Sequence, residues 1–144
     1  MKSKYNRVIL ADTHHPMLEG IRGLLETMFE AVVMVADDTS LFDTAARLDA
    51  DLIVVDLSLP VSRDVNIVRR LKERFPECKL IVLSVHEEPI AVEKVMAAGA
   101  QGFVLKRSAA TDLIPAVRAV LRGRKYVSPH LKKEGKHKAF DKKD

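Results

Sequence analysis

The sequence predicts an α/β fold in which a five-stranded parallel sheet, (βα)5, is doubly wound with helices on both faces. Three observations carry this. Short apolar runs alternate with helical periods along all but the last residues. Most of the runs lack inside/outside alternation, which is how strands buried on both faces read. A residue capable of chemistry stands at the carboxyl end of four of the five runs.

The elements follow in order. Strands are expected over 7–11, 31–36, 51–55, 79–85 and 102–105, all rich in Val, Ile and Leu. Met17, Leu18, Ile21, Leu24, Leu25 and Met28 recur at helical spacing after the first run, as do Val65, Val68 and Leu71 after the third. The weakest helical pattern covers about 40–48. Ile90, Val92, Val95 and Met96 give a helix ending at Gly99, a C′ glycine. A last helix runs from about Thr111 to Arg122 and stops at Gly123. If Thr111 caps it, Pro115 sits near its start and removes one hydrogen bond; an earlier start places Pro115 inside the helix.

With 144 residues, 47% of them hydrophobic, the chain is long enough for one domain with a substantial core. One cysteine, Cys78, permits no internal disulfide and has no activating charge cluster beside it, so it reads as a bystander. The apolar run near the N-terminus is too short for a signal-peptide core, and no stretch approaches a membrane span, so a cytoplasmic location without membrane contact is expected. The net charge of +4 is mostly local: residues 129–144 carry +3 and residues 1–128 only +1. The division expected is therefore a globular domain over 1–128 and a basic, disordered tail or linker start over 129–144.

In open parallel sheets, ligands bind beyond the carboxyl ends of the strands. The residues there are Asp12 in "VILAD", Asp56 in "DLIVVD", Ser84 in "LIVLS" and Lys106 in "GFVLK". A carboxylate after an apolar strand is costly inside the core but natural at the strand mouth. Four such groups on one rim suit phosphoryl transfer to a carboxylate. Asp56 is the nucleophile. Asp12 helps hold a divalent cation that neutralises phosphoryl oxygens. Lys106 supplies a fixed positive charge and Ser84 a hydroxyl donor.

Asp12, the segment "DLSLP" (56–60), Ser84 and "AAGAQGFVLK" (97–106) together resemble the receiver domain of bacterial two-component response regulators. The resemblance covers roughly residues 5–128. It implies a flavodoxin-like sheet with strand order 2-1-3-4-5. "GRKYVSP" (123–129) is similar to the end of receivers in the NarL/FixJ (LuxR-type) subfamily, where a helix-turn-helix DNA-binding domain normally follows. By this resemblance, Asp56 is the phosphoacceptor for a sensor histidine kinase. Asp12, Asp56 and the backbone carbonyl of Ser58 form the magnesium shell. Ser84 and Phe103 are the switch pair, which repacks the face made by the fourth helix, fifth strand and last helix. The resemblance also implies a signalling domain and not an independent enzyme, a homodimer as one form, and DNA contact only through an output domain that these residues do not include. A single-domain regulator and a piece of a longer one both remain open.

Thr13 stands where most receivers carry a second acidic residue that touches magnesium. It offers a neutral oxygen to a cation that prefers carboxylate and water. One unit charge at contact distance is worth at most ~4 kcal/mol at an effective dielectric near 20, so weakened magnesium affinity is expected. A degenerate receiver that binds proteins without phosphorylation is the rival reading. Val85 stands where alanine is frequent and is expected to narrow access to Asp56. Asp64 stands where a turn glycine is frequent. His14 and His15 are adjacent, whereas helical metal-ligand pairs are spaced i, i+4, so a zinc site is not expected. The lysines from Lys132 onward lack interleaved aromatics apart from Phe140, so a nucleic-acid arm is the weaker alternative to a solvated end.

Overall fold

The computed structural model describes residues 5–12, 18–57, 61–129 and 131. In chain order the elements are β1 (Tyr5–Asp12), α1 (Leu18–Glu26), β2 (Phe29–Val35), α2 (Asp38–Arg47), β3 (Leu52–Leu57), α3 (Val61–Arg74), β4 (Lys79–Ser84), α4 (Pro89–Ala97), β5 (Gly102–Leu105), α5 (Ala109–Leu121) and β6 (Tyr126–Val127). The sheet is parallel throughout, in the order β2-β1-β3-β4-β5-β6. The expected order 2-1-3-4-5 is borne out, and a short sixth strand extends it beside β5.

The missing alternation in the strands now has its explanation. Ile9, Ile53, Val55, Val82, Phe103 and Leu105 face one core with residues of α2, α3 and α4. Val8, Leu10, Leu52, Val54, Ile81, Leu83 and Val104 face the other, with α1 and α5. Successive strand residues point to opposite faces, and both faces here are covered, so both must be apolar.

Three boundaries differ from the sequence reading. The β1–β2 pair is longer than expected because Tyr5 stands opposite Phe29, their rings 5.5 Å apart; such an aromatic cross-strand pair stabilises the ladder by roughly 0.2–1 kcal/mol. Residues 61–64 belong to α3, so Asp64 lies within a helix and not in a turn. The last helix begins at Ala109, preceded directly by a 3₁₀ turn, Lys106–Ser108, so Thr111 is not its cap and Pro115 lies inside it. Instead, Thr111 Oγ1 donates to the Ser108 carbonyl at 3.1 Å. The two glycine stops stand as expected, Gly99 at φ +125° and Gly123 at φ +86°.

Candidate functional site at the strand ends

Parallel register sets the geometry of the rim. Asp12, the last residue of β1, is the Cα partner of Asp56 on β3. Neighbouring strands lie about 4.8 Å apart, so the two acids occupy adjacent positions at one level. One residue further, Leu57 stands opposite Ser84, the end of β4, and Ser84 stands opposite Leu105, the end of β5. Lys106 follows at once. Asp12, Asp56, Ser84 and Lys106 therefore lie within one residue of a single edge line across four strands.

Ser84 is 1% exposed, and its Oγ accepts the His86 N–H at 2.9 Å. A hydroxyl has one proton and two lone pairs. Accepting from His86 engages a lone pair and leaves the proton to be donated elsewhere. Lys106 is 8% exposed and is the first residue of the 3₁₀ turn that directly follows β5. Phe103 is fully buried in the same cluster as Val95, Ala100 and Leu131. Its place on β5 puts it two residues before the end of that strand.

The loop after β4 borders the rim. Val85 is 53% exposed. His86 Nδ1 lies 3.7 Å from the Glu88 carboxylate. Glu87 pairs with Arg107, joining this loop to the turn that begins at Lys106. At such exposure an ion pair contributes about 0–1 kcal/mol. Its interest lies in what it joins.

Aspartates at neighbouring strand ends are the residue type that suits a hard divalent cation, since magnesium takes carboxylate, carbonyl and water oxygens. The residues expected to complete or weaken that shell, Ser58 and Thr13, lie outside the described residues, as do His14 and His15. Sequence reasoning passed over one buried polar residue near the site. Ser128 is fully buried, and its Oγ accepts the N–H of Leu105 at 3.0 Å. The only signal was the serine of "YVSP".

Residues 8–118 match the response regulator receiver domain. The chain belongs to that family. Curated relatives of this receiver include the transcriptional regulatory protein DegU of Brevibacillus brevis, 32% identical over 127 residues, covering 87% of this chain and 54% of the relative. The transcriptional regulatory protein RcsB of Escherichia coli is 34% identical over 124 residues, covering 83% and 57%. This receiver thus spans little more than half the length of either. Its fold is similar to that of the isolated receiver domain of RcsB from Salmonella enterica serovar Typhimurium, determined with the phosphomimetic BeF3−. The TM-score is 0.79 and the identity 32%, over 90% of this chain and 97% of that one. The expected NarL/FixJ-type kinship is borne out by these relatives. Among the described residues, no helix of this receiver is long and apolar enough to cross a membrane.

Proposed function

We propose that this receiver accepts a phosphoryl group on Asp56 from a sensor histidine kinase and signals through a changed surface. The observation that carries the reading is the register: Asp12 opposite Asp56, with Ser84 and Lys106 on the same edge line. An Asp56 oxygen attacks the donor phosphorus while the bond to the leaving group breaks. Lys106 balances the charge that gathers on the phosphoryl oxygens, and the Ser84 hydroxyl donates to one of them. Magnesium would be held by Asp12, Asp56 and, by the family resemblance, the backbone carbonyl of Ser58, and would supply charge neutralisation there. Phe103 repacks as Ser84 is drawn toward the phosphate. The RcsB receiver studied with a phosphomimetic supports this by kinship.

The same reading places the protein in the cytoplasm, allows a homodimer, and assigns DNA contact to an output domain like those of the transcriptional regulators it resembles. It divides the chain into a receiver over 1–128 and a basic segment over 129–144. Leu131, 5% exposed in the cluster that holds Phe103, keeps the start of that segment against the receiver. Thr13 motivates the second reading, a receiver that binds partners without phosphorylation.

Incubation with magnesium and acetyl phosphate, followed by intact-mass measurement, tests the proposal. A phosphoryl mass that is lost in Asp56→Asn supports it. No added mass at saturating magnesium and donor leaves the second reading.

A further inference from the structure

Ser128 occupies a place where a ladder bond is completed by a side chain. Beyond β6 the chain still runs beside β5: Gly102 pairs with Tyr126 and Phe103 with Val127, and the Ser128 N–H donates to the Phe103 carbonyl at 3.0 Å. In a continuing parallel strand, the next bond would run from the Leu105 N–H to the Ser128 carbonyl. Here that carbonyl accepts from the Leu131 N–H at 2.9 Å, because the chain turns away. The Ser128 hydroxyl takes the Leu105 N–H in its stead, at 3.0 Å. Leu105 is 1% exposed and Ser128 0%, so water offers this amide no substitute acceptor.

Leu105 is the residue immediately before Lys106. We propose that Ser128 is a positioning residue for Lys106: by tethering the last amide of β5 it fixes the point from which the lysine reaches the strand-end rim. This rests on the reading of Asp56 as phosphoacceptor. Removing the hydroxyl frees the strand end beside the 3₁₀ turn. Displacements near 1 Å at a charge-stabilising group are enough to slow group transfer by about a hundredfold, and a partly restrained strand end will lose less. Asp12 and Asp56 stand on β1 and β3, away from the tether, so magnesium affinity stays unchanged.

The test is the rate of acetyl phosphate-driven mass addition at saturating magnesium, in the full chain, for wild type, Ser128→Ala, Lys106→Ala and the double variant. Magnesium affinity is followed by calorimetry. Ser128→Ala is expected to slow phosphorylation about tenfold, with no further slowing in the Lys106→Ala background, since the two act as one unit. Ser128→Cys keeps a weak acceptor of similar size; it should fall between alanine and serine and serves if alanine unfolds the protein. A wild-type rate in Ser128→Ala, or equal slowing in both backgrounds, overturns the proposal while leaving Asp56 as acceptor. If wild type gains no phosphoryl mass, the phosphoacceptor reading fails and this inference fails with it.

Discussion

Two lysines stand at opposite ends of the same sheet, and their surroundings differ. Lys72, on α3 at the amino end, donates from Nζ to the Cys78 carbonyl at 2.6 Å and to the Pro76 carbonyl at 3.4 Å. Its stem fills the space beside Gly99, where a Cβ would come within 2.7 Å of Lys72 Cγ. Burial holds its pKa below the usual lysine value. Lys72 is thus a staple, its donors directed at the turn between α3 and β4. Lys106, at the carboxyl end, follows β5 directly, on the edge that also carries Asp12, Asp56 and Ser84. The same residue type closes a turn at one end of the sheet and follows a strand end on the aspartate-bearing edge at the other. Topology decides which, because in open parallel sheets the ligand-binding crevice lies beyond the carboxyl ends of the strands.

The largest expected effect separates the two lysines outright. Lys106→Ala should lower the phosphorylation rate about a hundredfold or more, the usual loss on removing one charge-stabilising donor. Lys72→Met should leave that rate unchanged while lowering stability in urea denaturation. Equal effects on both measurements would erase the distinction between the two ends.

Cys78 sharpens the contrast next. Burial pushes its thiol up to about 11, against the weaker opposing pull of Lys72. A thiol raised from 9.0 to about 11 carries about a hundredfold less thiolate at neutral pH than an ordinary one. Alkylation of the folded protein should be slower by that factor, and should rise tenfold per pH unit until about pH 11. Fast labelling at pH 7 would mark the amino end as chemically active after all.

Gly99→Ala comes third. It forces a side chain onto a backbone at φ +125° and against Lys72, and should destabilise the fold by about 2 kcal/mol, read as a shift in the urea midpoint. The phosphorylation rate of the folded fraction should not change, because the strain lies at the amino end.

The smallest effect concerns the rim itself. Thr13→Asp should tighten magnesium binding and speed phosphorylation several-fold, as a second carboxylate joins the donor set. If it alters neither, Thr13 does not occupy the second acidic position.

Much of this was readable in the sequence because the strands declare themselves. Runs such as "LIVVD" are apolar on both faces and end in a polar residue, so both the sheet and its candidate rim follow from local pattern. What escaped depends on contacts distant in sequence. β6 is two residues long, and its pairing with β5 exists only because α5 stops at Gly123 and the chain turns back. The role of Ser128 depends on its own carbonyl being diverted to Leu131, which no local pattern encodes. The start of α5 was misplaced because the 3₁₀ turn at Lys106 runs into the helix without a side-chain cap. The extension of β2 to Phe29 needed the partner ring of Tyr5.

The most direct test is a crystal structure grown with saturating magnesium. An octahedral ion bound by the carboxylates of Asp12 and Asp56, at about 2.0–2.1 Å, is the predicted result. No ion between these two residues, or one held elsewhere in the molecule, would contradict the assignment of the strand-end rim as the phosphoryl-accepting site.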